Sequence, residues 1–143
     1  MSEYAYIALD PGETTGWAGF DGKGVIQKFG QFTQDEQTKW LDEHIVEGVL
    51  MVIIEEYRNY KGGTFQGQKN QTSKNIGAIE MICELRGVPY TRQPANIKKI
   101  GYKFAGMPDG PPSDHRISHQ YDAVAHGTYY LRVNGILVPT SLD

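Results

Sequence analysis

Ile7-Ala8-Leu9-Asp10-Pro11-Gly12-Glu13-Thr14-Thr15-Gly16-Trp17 is the stretch on which the reading of this chain turns. The apolar run from Tyr4 reads as a buried strand, and it delivers one carboxylate, Asp10, at its end. Pro11-Gly12 stops that strand, and Gly16-Trp17-Ala18-Gly19-Phe20 reads as its return in a hairpin. A carboxylate at a strand end beside a Gly/Thr turn has two chemical uses. It can hold a divalent cation through hard oxygen, or sit beside a phosphate cradled by backbone N–H groups. Asp-Pro-Gly is also an ordinary turn, so the choice between these depends on the remaining residues.

Working outward, residues 24–32 read as a third strand, joined through Asp21-Gly22-Lys23-Gly24, a tight turn where glycine accepts positive φ. Residues 34–48 read as a helix with Trp40, Leu41, His44 and Ile45 on one face and Gly48 closing it. Val49 to Ile54 is a continuous apolar run, as expected of a strand covered on both faces in a parallel pair. It ends in Glu55-Glu56, so a second strand delivers carboxylate at its C-terminal end. Residues 59–71 have no period and three glycines, and read as a polar functional loop. Residues 72–86 read as a helix that is apolar nearly all round, expected to be buried on more than one side, between the core and a partner subunit. Val88 to Thr91 reads as a short strand, Pro94 as the start of a short helix through Ile100, and 105–112 as a loop. Ser113 reads as the N-cap of a last helix reaching about Leu131. The order β-β-β-α-β-α-β-α-α predicts an α/β sandwich with a mixed sheet.

The 143 residues suit one domain with a real core. Hydrophobic content of 39% excludes a disordered chain, and no apolar run approaches the ~20 residues of a membrane span. Met1-Ser2-Glu3-Tyr4 lacks the basic start and apolar segment of a secretion signal. The single cysteine, Cys83, excludes an internal disulfide and fits a reducing cytoplasm; its helical setting suits a buried small hydrophobe. The net charge of −3 conceals an uneven distribution. Residues 1–56 hold 11 acids and 3 bases, whereas 57–106 hold 9 bases and only Glu80 and Glu84 as acids. One basic segment in an acidic molecule is a candidate footprint for a phosphate backbone. Its candidate contacts are Arg58, Lys61, Lys69, Lys74, Arg92, Lys98, Lys99 and Lys103; a solvated charged surface is the plainer reading of the same residues.

The last helix adds further metal-type ligands. His119 and Asp122 are three apart and share a face, with His115 and His126 extending the stripe and Ala123, Val124 and Tyr130 packing opposite. A lone helical histidine is usually structural, so His115 and His126 count for less than the His119/Asp122 pair. Asp10, Glu55, His119 and Asp122 then form a set dominated by hard oxygen, which selects Mg²⁺ or Mn²⁺ over structural zinc. Carboxylates gathered around two such ions about 4 Å apart are the apparatus of phosphodiester hydrolysis.

Asp-Pro-Gly-x-x-x-Gly at 10–16, Ile-Ile-Glu at 53–55 and His-x-x-Asp-Ala-x-Ala at 119–125 together resemble the RuvC family of Holliday junction resolvases, in the ribonuclease-H-like superfamily. Ala78 to Gly87, Pro94 and Ile97-Lys98-Lys99 also resemble that family, so the likeness spans most of the chain. The short length and the His-x-x-Asp ending look most like its phage-encoded branch. The resemblance implies one ribonuclease-H-like domain over residues 1–143, with a five-stranded sheet of three antiparallel and two parallel strands flanked by helices. It implies an endonuclease that nicks four-way DNA junctions symmetrically as a homodimer, using two Mg²⁺ per site with Mn²⁺ as a substitute, in the cytoplasm (the host's, if phage-encoded). Asp10, Glu55 and Asp122 match its catalytic acids. His119 falls on a position that is Asp or His in the family, and serves as ligand or as general acid/base. Lys98 or Lys99 falls near a basic residue used on DNA phosphate. Tyr57, Tyr60 and Phe65 are the candidates for the aromatic that opens the junction. Glu56 falls where family members often carry another polar residue.

Three other readings compete. A ribonuclease-H-like nuclease of broader specificity, for flaps, branched DNA or RNA–DNA hybrids, fits the same residues. An actin- or sugar-kinase-type ATPase shares the first Asp-x-Gly-x-Thr-Thr-Gly loop, but needs two domains and a second glycine-rich loop that 143 residues do not accommodate. A non-catalytic DNA-binding protein would have no reason to keep all four ligands.

Overall fold

A computed structural model describes residues 2–56, 66–112 and 118–137, with side chains from residue 71 onward in the second segment. Five strands, β1 (Tyr6–Asp10), β2 (Thr14–Phe20), β3 (Ile26–Thr33), β4 (Met51–Glu56) and β5 (Tyr90–Pro94), form one sheet in the order β3-β2-β1-β4-β5. β1 pairs antiparallel with β2 and β2 with β3, while β1–β4 and β4–β5 are parallel. Among the described residues four helices flank it: α1 (Gln37–His44), α2 (Gln66–Arg86), α3 (Lys98–Phe104) and α4 (Ser118–Val133). This is the mixed, three-plus-two arrangement expected of a ribonuclease-H-like fold.

The strands' period of two decides what each face meets. Ile7 and Leu9 of β1, with Val52 and Ile54 of β4, pack against Leu41 and Ile45 of α1 and Ile76, Ile79 and Cys83 of α2. Tyr6, Ala8 and Ile53 point the other way, onto Ala123, Val124 and Leu131 of α4. β4 is therefore covered on both faces, which is why its run is apolar without alternation. Each of its buried aliphatic side chains contributes about 1.5–3 kcal/mol. By the same parity Asp10 and Glu55 belong to the face that carries α4.

Several boundaries differ from the sequence expectation. Glu36 Oε1 accepts from both the backbone N–H and the hydroxyl of Thr33, each at 2.9 Å, so the first helix opens as a 3₁₀ turn over Gln34–Glu36. It ends at His44 rather than 48. Gly48, at φ +107, turns the chain into β4 instead of capping the helix. Residues 66–71, expected as loop, are the first turns of α2. A polar opening has no apolar period to reveal it, yet Gln and Lys are good helix formers. β5 begins at Tyr90 because Gly87 (φ +67) and Val88, whose N–H bonds the Cys83 carbonyl at 2.9 Å, still close α2. The expectation that α2 is buried on more than one side is corrected within this chain. Ile76, Ile79 and Cys83 are buried, whereas Met81 is 63% and Leu85 79% exposed. The Cys83 thiol is inert: burial, then Glu80 and Glu84, push its pKa up to about 12. Ser113, the expected N-cap of the last helix, and His115 lie outside the described residues.

Candidate active site

The parallel register sets the floor of the site. Leu9 pairs with Ile54, so the next residues along, Asp10 and Glu55, are neighbours; Glu55 in turn pairs with Gln93 on β5. Three polar residues thus form a row at the C-terminal ends of three parallel strands, the edge where α/β sheets bind ligands. α4 lies over this row and contributes His119, Asp122 and His126, a single stripe at helical spacing.

Two glycines let the helices come this close. A Cβ on Gly16 would stand 1.9 Å from the His119 carbonyl oxygen, so the Gly16 of the hairpin motif is the seat of the α4 backbone. Gly16 pairs with Asp10 across the hairpin, and the helix seated there brings His119 Nδ1 to 2.8 Å from Asp10 Oδ2. A Cβ on Gly101 of α3 would likewise stand 2.3 Å from the Ala125 carbonyl. That contact carries Lys98 and Tyr102, four apart on one face of α3, to Asp122. The Tyr102 hydroxyl donates to Asp122 Oδ1, and Lys98 Nζ lies 3.4 Å from Asp122 Oδ2 and 2.8 Å from Glu55 Oε1. On the other side of the sheet the buried Asn75 amide of α2 donates to the Gly12 carbonyl at 2.7 Å, fixing the turn after Asp10.

Asp10, His119 and Asp122 each offer a ligand atom within 4.8 Å of the others. Glu55 falls outside that trio but shares a hydrogen bond with Asp10. Burial, the bond to Glu55 and the charges of Glu55 and Asp122 hold the Asp10 carboxyl well above the usual range. Burial alone would raise Glu55 too. Hydrogen bonds with Asp10 and His126 and the charge of Lys98 outweigh it, and Glu55 titrates below the usual range. Burial works against the Lys98 ammonium, but Glu55, Asp122 and Asp10 together raise its pKa. One proton on Asp10 and the Lys98 ammonium therefore offset two of the three carboxyl charges and leave the pocket net negative. A hard-oxygen cluster that already gathers positive charge fits a divalent cation in its donor set. Beside it opens a cleft of about 440 Å³ lined by Lys98, Lys99, Tyr102, Asp122 and the turn Pro108–Pro111.

The other candidates fall in different places. Lys99 and Lys103 are exposed along α3, and Lys74 is exposed on α2. Arg92 is held by Glu80 through two bonds of 2.7 Å. Tyr57, Arg58, Tyr60, Lys61, Phe65 and the side chain of Lys69 lie outside the described residues. Sequence reasoning gave Tyr102, Asn75 and Gln93 no role. His126 was set aside as a lone helical histidine, yet it is fully buried with Nε2 3.2 Å from Glu55 Oε1.

No family model and no curated protein matches the sequence. Solved structures do. A structure of T. thermophilus RuvC in complex with a Holliday junction substrate superposes with a TM-score of 0.67 over 96% of this chain and 100% of that one, at 14% identity. A second Thermus thermophilus RuvC structure gives 0.58 over 94% and 99%, at 16% identity. The chain has the RuvC fold. At such identity the likeness lies in the backbone and shows the fold alone. Among the described residues no helix is long and apolar enough to cross a membrane.

Proposed function

We propose that this protein is a divalent-metal-dependent endonuclease that resolves four-way DNA junctions, acting as a homodimer through one ribonuclease-H-like domain over residues 1–143. The observation that carries the reading is the convergence of Asp10, His119 and Asp122 ligand atoms, two of them on α4 over the ends of parallel strands, in a chain that superposes on the RuvC fold over 96% of its length. Asp10, Glu55, His119 and Asp122 would hold Mg²⁺, two ions per site, with Mn²⁺ able to substitute. Such ions, when bound, supply a water acidic enough to attack phosphorus and a counter-charge for the leaving oxygen.

The chain's own groups have separate tasks. Asp10 must lose its proton before it can serve as a ligand, and His119 Nδ1, 2.8 Å away and part-exposed, is placed to take that proton or to act on water. Lys98 holds Glu55 and Asp122 together in the metal-free protein, and a scissile phosphate entering the cleft offers its ammonium an alternative partner. Lys99, Lys103 and Lys74 bear on the DNA backbone without reading sequence. Arg58, Lys61 and Lys69, with a junction-opening aromatic among Tyr57, Tyr60 and Phe65, complete that surface. A two-fold junction calls for two symmetric nicks, and the exposed Met81 and Leu85 of α2 are the proposed dimer contact. The His-x-x-Asp ending and short chain suit a phage-like member working in a host cytoplasm.

The test is nicking of a four-way junction, a flap, an RNA–DNA hybrid and a linear duplex, each with Mg²⁺ and with EDTA. Paired nicks on the junction, dependent on Mg²⁺, are expected. Preference for the flap or hybrid would establish the broader ribonuclease-H-like reading instead, and no Mg²⁺-dependent cleavage of any substrate would overturn the enzymatic one.

A further inference from the structure

Of the two described histidines of α4, His126 has no access to solvent, and it faces Glu55 rather than the cleft. Its hydrogen bonding can be solved from fixed points. The Gln93 side-chain nitrogen lies 3.0 Å from the His126 carbonyl oxygen, an atom that only accepts, so that end of the amide must be NH₂. The same NH₂ lies 3.1 Å from His126 Nδ1, which therefore accepts, and the ring proton is on Nε2. Nε2 lies 3.2 Å from Glu55 Oε1. Lys98 Nζ approaches the same Oε1 at 2.8 Å; neither approach is aligned as a hydrogen bond, and Oε1 and Nε2 are both buried with no other partner.

We propose that His126 and Gln93 are positioning residues for the metal-ligating carboxylate: Gln93 fixes the imidazole tautomer, and the imidazole N–H fixes the orientation of Glu55. The proposal rests on the reading of Glu55 as a metal ligand. Its logic is that of outer-shell groups that aim a ligand and whose loss weakens metal affinity without touching the metal. Gln93 is suited to the task because it pairs with Glu55 across the β4–β5 ladder and reaches α4 from the same face. A hydrophobic residue at 126 would fill the space but remove the imidazole from Glu55 Oε1, leaving only Lys98 and Asp10 to orient the carboxylate.

Two measurements test it. In ¹⁵N-histidine-labelled protein, the long-range ¹⁵N–¹H pattern of His126 is expected to be that of the Nε2–H tautomer. A Nδ1–H tautomer would overturn the proposal, and this readout needs neither metal nor a variant. Calorimetric titration with Mn²⁺ should then show affinity weakened roughly 10- to 100-fold in His126→Leu and largely restored in His126→Gln, whose amide N–H can replace Nε2–H. Gln93→Leu provides the same comparison should His126→Leu fail to fold. Glu55→Gln separates the two levels. If it leaves Mn²⁺ binding unchanged, Glu55 is no ligand and the underlying reading falls. If it abolishes binding while His126→Leu and Gln93→Leu bind like wild type, the positioning role alone is refuted.

Discussion

Asp10 holds its proton far above the ordinary aspartate value of 3.8 because burial and two neighbouring carboxyls penalise its charge. A raised pKa means that the folded protein binds this proton where the unfolded chain has released it. Stability from this group is therefore fully present below pH ~4 and is lost as pH rises through the folded pKa. Glu55 has the opposite sign: its contribution is present above its ordinary value of 4.5 and is lost as pH falls toward its depressed folded value. In the metal-free protein Asp10→Asn is accordingly expected to melt higher than wild type at pH 7–8, and to lose that advantage near pH 4. The same variant should bind a junction with wild-type affinity and cut it at least about a hundredfold more slowly, an order of magnitude set by losing the proposed metal-ligand charge. Thermal scans in EDTA across pH, beside a nicking assay, check both, and a fully active Asp10→Asn protein would remove Asp10 from the site. Lys98→Met should show the reverse stability effect. Without the ammonium, Glu55 and Asp122 lose their counter-charge, at about 1–3 kcal/mol for a charged hydrogen-bonded contact, discounted because Lys98 is part-exposed. Adding Mn²⁺ should recover most of that loss; a metal-free melting temperature equal to wild type would show that Lys98 does not hold the cluster.

At the scale of elements, the site depends on how closely α4 lies on the sheet. Gly16→Ala would place a methyl 1.9 Å from the His119 carbonyl, with backbone on both sides and no flexible side chain to yield. The helix must lift. The expected cost is about 1–3 kcal/mol of overpacking, with a larger loss of activity than of stability because His119 leaves Asp10. Melting temperature and cleavage rate measured on the same preparation test this, and retention of full activity would show that α4 tolerates the displacement. This scale also shows what the sequence could reveal. Asp10 and Glu55 were legible because each ends an apolar run, and His119/Asp122 because helical spacing places them on one face. Lys98 read as a candidate phosphate contact and not as a partner of the carboxylates, since its ion pairs with Glu55 and Asp122 arise only where Gly101 lets α3 cross α4. Gln93 and Asn75 read as ordinary polar residues; each acquires its role from a partner 33 or 63 positions away. Local pattern carries no information about such contacts. The opening of α2 was missed for a different reason, its polar sequence having no periodic face.

For the whole molecule, the expected surface is divided in function. On the proposed function, the cleft beside Asp122 and the exposed lysines of α3 would meet DNA, and the exposed Met81 and Leu85 of α2 would meet a second copy. Leu85→Glu should convert a dimer to a monomer in sedimentation analysis, leaving the fold intact because this side chain is 79% exposed. Single nicks should then replace paired ones on a four-way junction. A wild-type protein that sediments as a monomer at concentrations where it makes paired nicks would dismiss this arrangement. Affinity for the junction should fall steeply with salt, as phosphate contacts release counterions.

The contact between Asp10 and His119 joins residues 109 positions apart. During synthesis the two acids on the strands emerge long before the helix that completes their ligand set. If these residues form the proposed site, a nascent chain would carry only half of it until α4 docks. On the proposed function, truncated or stalled products that lack α4 would be inactive for the same reason.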